Sequence, residues 1–116
     1  VADYRRALAT ALRGVETVDV VSVAGAAADR LLRRAIREAA GLEPRFVAPT
    51  RAAAGVRNGY REVWRLGADR WVAAIGGWHA PQRRGRPVCV VDVGTATTLD
   101  LVDGRGRHHG GAIVPG

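Results

Sequence analysis

A chain of 116 residues, 47% of them apolar and 25% charged, reads as one small globular domain or a piece of a larger one, outside the composition of disordered chains. No apolar run approaches the ~20 residues of a membrane span, a single cysteine excludes a disulfide scaffold, and glycine lacks the collagen period. The net charge of +7 comes from 18 basic residues that are all Arg, scattered from Arg5 to Arg107 without interleaved stacking aromatics, so nucleic-acid binding is an alternative and not the primary reading.

Ala and Val supply 37 of the 55 apolar residues, so the core is built from small side chains. Val1 is not a translation start, and Val114-Pro115-Gly116 follows directly on a strand-like stretch. Both ends are therefore expected to be internal to a longer protein. No charged segment followed by an apolar one reads as a leader, which leaves the cytoplasm as the expected location.

Tyr4, Leu8, Ala11 and Leu12 fall at helical spacing within Asp3 to Arg13, closed by Gly14. The β-branched run Val18 to Val23 predicts a strand. Ala26 to Ala40 predicts a helix with Leu31, Leu32, Ala35, Ile36 and Ala39 on one face, a solvated row of Arg30, Arg33, Arg34 and Arg37, and Gly41 as its stop. Arg45-Phe46-Val47 is a short strand, residues 50–60 are loop, and Trp64 to Trp78 is a third helix. The Pro-bracketed segment Pro81 to Pro87 is the best boundary candidate. Beyond it, Val88–Val93, Thr97–Val102 and His108–Val114 predict three strands joined by turns at Gly94-Thr95 and Asp103–Gly106. Strands alternating with helices as far as residue 80 suggest a parallel α/β layer, and the short turns after 87 an antiparallel meander. Cys89 is expected as a buried thiol in a central strand, and His108 and His109 as surface and edge residues on opposite faces.

Two segments could carry chemistry. In Asp92-Val93-Gly94-Thr95-Ala96-Thr97-Thr98 an apolar strand delivers a carboxylate beside a tight turn rich in hydroxyls and backbone N–H groups. That suits a nucleotide phosphate and its cation, or is an ordinary hairpin; with no Lys and a strand following, it is not a Walker loop. In Leu66-Gly67-Ala68-Asp69-Arg70-Trp71, Asp69 and Arg70 at a Gly-marked helix start are a solvated pair, or a general base and an anion contact. Tyr60 is either a loop aromatic packing on the core or a wall of a polar pocket.

Four segments in order, Gly55 to Tyr60, Leu66 to Trp71, Val90 to Asp100 and Gly110 to Gly116, resemble the type III pantothenate kinases, the group that includes the Bvg accessory factor proteins. The resemblance covers about residues 18–116 and is clearest from 55 onward. It implies an α/β, actin-like (ribonuclease H-like) two-domain kinase fold of the acetate and sugar kinase superfamily. Residues 1–86 would be the later α/β part of the first domain and 87–116 the opening strands of the second.

The implied activity is ATP-dependent phosphorylation of pantothenate, the first step of coenzyme A synthesis, with Mg²⁺ and a monovalent cation (K⁺ or NH₄⁺), in a homodimer. The resemblance places pantothenate at Tyr60, Gly67, Ala68, Asp69 and Arg70, with Asp69 the proton acceptor. It places ATP at Gly94 and Thr95, and the monovalent cation at Asp92. Val63 stands where the family usually has Pro, a departure that touches no reacting group. The first phosphate motif, of the D-x-G-N-[ST] kind, is expected upstream of Val1, and the adenosine region and the residues that pair with a second copy downstream of Gly116. The 116-residue chain alone is therefore expected to be inactive. A non-catalytic regulatory protein of the same fold is the alternative, and loss of that upstream motif would favour it.

Overall fold

Small apolar residues at helical spacing, an acid in the first turn and a glycine at the end specify the longest helix of the chain. In the computed structural model, which describes residues 2–116, that helix runs Ala26–Ala40 and buries Ala35 and Ile36. Gly41 ends it with φ +67°, a left-handed conformation that glycine adopts without steric cost, and returns its N–H to the Arg37 carbonyl at 2.9 Å. It is the second helix, α2, after α1 at Ala2–Ala11. Strands β1 (Asp19–Val20) and β2 (Arg45–Phe46) flank α2 and pair in parallel, which makes the predicted βαβ unit. Arg45 locks the pairing with two hydrogen bonds to the Asp19 carboxylate, at 2.9 and 3.0 Å.

Three expectations here need correction. The strand expected over 18–23 is only two residues long, and Val21 and Val23 beyond it are exposed. Leu31, assigned to the apolar face of α2, is 68% exposed. The arginine row is only partly a free solvated face: Arg33 and Arg37 both pair with Glu43, and Arg33 also lies 4.9 Å over the Phe46 ring.

The chain divides into two compact units between Val47 and Ala48. In the second unit, the segment read as loop contains a hairpin of β3 (Ala52–Ala53) and β4 (Val56–Arg57). Its two turn residues, Ala54 and Gly55, both have positive φ, as a tight hairpin turn that follows the strand twist requires. The third helix is shorter than expected. A single 3₁₀ turn occupies Val63–Arg65, Leu66 and Gly67 are extended, and α3 runs Ala68–Trp78. The segment 81–87 carries α3 into β5 inside this same unit, through a 3₁₀ turn at Pro81–Arg83.

The antiparallel meander is present as β5 (Val88–Val93), β6 (Ala96–Val102) and β7 (His108–Pro115), in the order β5-β6-β7. Helix α3 packs on β5 and β6, so one face of the sheet holds Val88, Val90, Asp92, Thr98, Asp100 and Val102, and the other holds Cys89, Val91, Val93 and Leu101. The core joins Val56, Leu66, Trp71, Ala74 and Val102. Cys89 is not a buried thiol in a central strand: β5 is an edge strand, and the face that carries Cys89 is exposed.

Candidate functional site

The backbone around Tyr60 is fixed from three sides. Arg51 donates from its guanidinium to the carbonyls of Asn58 (3.0 Å), Tyr60 (2.7 Å) and Arg61 (2.8 Å), which staples residues 58–61 into one bend. Buried Asn58 accepts the Tyr60 N–H on its side-chain oxygen at 2.9 Å, a local Asn turn, and donates to the Val63 carbonyl. Gly59 lies directly against β7: a Cβ there would fall 1.8 Å from the His108 carbonyl oxygen.

Leu66 is fully buried and anchors the chain just before α3. Gly67 caps the helix without a side chain, and Asp69 stands exposed in the first turn, where the unpaired N–H groups of a helix start favour negative charge. Its Oδ1 accepts the Arg70 N–H at 2.8 Å, which fixes the carboxylate while leaving it open to solvent.

Arg70 points the other way, into the unit, and is only 7% exposed. Its Nε–H and Nη2–H donate to Asp100 Oδ2 and Oδ1, both at 2.8 Å, a two-pronged pair that bridges α3 and β6. Its Nη1–H donates to the Tyr60 hydroxyl at 3.3 Å, and its Cζ lies 5.9 Å from the Tyr60 ring centre. A guanidinium has five N–H groups, and three of them have partners among the described residues. His108 completes the cluster, with Nε2 2.8 Å from Asp100 Oδ1 and its ring stacked 5.8 Å from that of Tyr60.

Burial alone would raise the Asp100 carboxyl, but hydrogen bonds from His108 and Arg70, and the Arg70 charge, outweigh it and hold it below the usual range. Asp100 in turn raises Arg70 against the cost of its burial. Both groups are therefore charged at neutral pH.

The expected substrate residues Tyr60, Gly67, Ala68, Asp69 and Arg70 thus gather at the start of α3, with Ala68 and Arg70 buried and Asp69 outward. Asp69 and Arg70 are not one solvated pair, because their side chains point to different places. Asp92, Gly94 and Thr95 lie exposed at the end of β5 and in the turn to β6, where Gly94 N–H donates to the Ala96 carbonyl. Asp92 is opposite Thr98 on the α3 side of the sheet, so a carboxylate and a hydroxyl share one spot. These hard oxygen donors fit a hard cation. Among the described residues no group of three or more His, Cys, Asp or Glu could hold a metal, so any cation at Asp92 needs oxygens other than carboxylates beside it.

The reading of His108 as a surface residue is overturned: its side chain is fully buried, whereas His109 is exposed and pairs with Asp103. Asp100 was likewise without a role. The alternation along β6 puts Asp100 on the same side as Val102, and an inward carboxylate in a strand demands a partner.

The frame is mixed α/β, with an open carboxylate in the first turn of α3, a buried guanidinium beside it and an exposed Gly-Thr turn at the end of β5. The family model described as type III pantothenate kinase matches residues 2–116, and the chain belongs to that family. It is 51% identical over 75 residues to the type III pantothenate kinase of Albidiferax ferrireducens, covering 63% of this chain and 29% of that protein. The enzyme of the same name from Ectopseudomonas mendocina is 41% identical over 102 residues, 88% of this chain and 40% of the relative. That of Acidovorax ebreus is 53% identical over 74 residues, 62% and 29%. The chain thus spans between 29 and 40% of the length of these curated relatives. Among the described residues, no helix is long and apolar enough to cross a membrane.

Proposed function

We propose that the protein containing this chain phosphorylates pantothenate at the expense of ATP. The observation that carries this reading is the Arg70–Asp100 pair, which ties the segment Gly67 to Arg70 to the strand that continues from the Asp92–Thr98 motif. That pair links two motifs far apart in sequence across α3 and β6. Helix α3 packs on β5 and β6 within the one compact unit of residues 48–116, so both motifs belong to the same body.

Arg70 and the Tyr60 hydroxyl hold the polar groups of pantothenate. The primary hydroxyl oxygen attacks the γ-phosphorus of ATP: the new O–P bond forms, the bond to the bridging oxygen breaks, and ADP leaves. Asp69 takes the hydroxyl proton. Because the transition state of phosphoryl transfer is loose, that proton leaves late and a carboxylate of ordinary basicity suffices. The Gly94-Thr95 turn would contact ATP phosphates, and Asp92 with Thr98 would hold a monovalent cation that supplies positive charge beside them. Mg²⁺ would accompany the nucleotide, and a second copy of the full-length protein would complete the pantothenate pocket with residues downstream of Gly116. Pantothenate-dependent ADP formation by the full-length protein, with phosphopantothenate identified by mass, tests the reading. Absence of pantothenate-dependent turnover overturns it.

A further inference from the structure

We propose that His108 is a positioning residue for the pantothenate site, acting through Asp100 on Arg70 and through Gly59 on Tyr60. The inference rests on the reading that Arg70 and Tyr60 contact the substrate.

Both ring nitrogens of His108 are engaged. Nδ1 lies 3.3 Å from the Gly59 nitrogen, whose N–H can only donate, so Nδ1 is the acceptor. The imidazole is therefore neutral with its proton on Nε2, and that N–H donates to Asp100 Oδ1. Asp100 Oδ1 also accepts from Arg70 Nη2, and Oδ2 accepts from Arg70 Nε. Without the His108 donor, the Asp100 carboxylate loses one of its three hydrogen bonds and the one restraint on its rotation that comes from outside Arg70. The guanidinium plane then loses its fixed aim.

The second arm is equally direct. The His108 ring is stacked on Tyr60 at an interplanar angle of 28°, and its Nδ1 anchors the residue that precedes Tyr60. The Tyr60 hydroxyl meets Arg70. One buried imidazole thus touches both routes by which the substrate contacts are oriented. A residue needed only to fill the core would not require two directional hydrogen bonds of opposite sense. Oriented ligand groups with locked supports are what substrate positioning requires.

Steady-state kinetics of the full-length protein separate the two arms. His108→Phe keeps a ring and removes both nitrogens. His108→Gln restores an N–H donor near the Nε2 position, and His108→Asn an acceptor near Nδ1. His108→Phe should raise the pantothenate KM about tenfold or more, the size expected when a charge-assisted hydrogen bond is lost. The ATP KM should stay within about twofold of wild type, since the ATP contacts lie at the other end of β6. His108→Gln should recover most of the pantothenate KM and His108→Asn much less. Should His108→Phe fail to fold, the Gln and Asn variants carry the test, and equal pantothenate KM values in those two overturn the proposal. Arg70→Ala is the control. If it raises the pantothenate KM while His108→Phe does not, the positioning role falls alone. If neither changes it, the assignment of the pantothenate site falls as well.

Discussion

Asp92 and Asp100 are diagonal neighbours on one face of the β5–β6 ladder: Asp92 faces Thr98, and Asp100 faces Val90 one step further along. That relationship sets their α-carbons about 7–8 Å apart. One carboxylate is open at the strand end, and the other is buried under Arg70 and His108. The same few residues of sheet therefore carry both the proposed cation ligand and the support of the proposed pantothenate contact.

Asp69→Asn should fold normally, because the side chain is exposed and, among the described residues, accepts a hydrogen bond only from the N–H of the next one. Loss of the proton acceptor should lower kcat by ~10²–10⁴-fold with ATP binding retained. ADP release coupled to an indicator enzyme measures it. Turnover close to wild type would remove Asp69 from the reaction.

Activity should depend on potassium or ammonium and fall sharply in a buffer whose monovalent cation is sodium alone. Asp92→Ala should weaken ATP binding and abolish the difference between the two buffers, because the strand end then lacks its carboxylate. A wild-type enzyme indifferent to the cation would contradict the role given to Asp92.

Much of the frame was legible in the sequence. Helix 26–40 with its Gly41 stop and the three strands after residue 87 follow from apolar periodicity and turn residues alone. The site was legible as far as its motif positions, and less so in its supports. His108 and His109 were expected on opposite faces, but alternation alone does not say which face is inward, and it is His108 that is buried. The Arg70–Asp100 pair spans 30 residues and has no local signature. Cys89 misled because a run of small apolar residues looks alike in a central strand and in an edge strand whose outer face is bare.

The buried pair should be expensive to break from one side. Asp100→Leu strands the Arg70 charge and the His108 donor, and Arg70→Met strands the carboxylate; each should cost ~3–5 kcal/mol. The double variant should be more stable than either single one, since no buried charge is left over. Denaturant midpoints of the three proteins decide it. Additive losses in the double variant would show that the pair is not coupled.

Two glycines should respond in opposite ways to alanine. Gly76, inside α3 with open space around it, should gain ~0.5–1 kcal/mol of stability as Ala through helix propensity. Gly59→Ala would set a methyl carbon 1.8 Å from the His108 carbonyl oxygen, so the loop must lift off β7. It should lower the melting temperature and raise the pantothenate KM through Tyr60. A tolerated Gly59→Ala would mean that the loop is not held against β7.

Acid should weaken the fold through two carboxylates. The contact from His109 and the N–H groups of Arg107 and Arg105, against slight desolvation, hold Asp103 down to about 2, from an ordinary value of 3.8. Asp100 is also held low, as burial is outweighed by its donors. A carboxylate with a lower pKa in the folded state binds its proton first in the unfolded state. Its contribution is therefore complete above the ordinary value and disappears as pH falls through the folded one. Urea midpoints should be flat with respect to these groups above about pH 5 and drop steadily from about pH 4 to pH 2. Asp103→Asn, at the surface, should lessen that slope without loss of fold. If the variant keeps the full wild-type acid slope, Asp103 is not depressed in the native protein and the bend from Asp103 to Arg107 is not held as described.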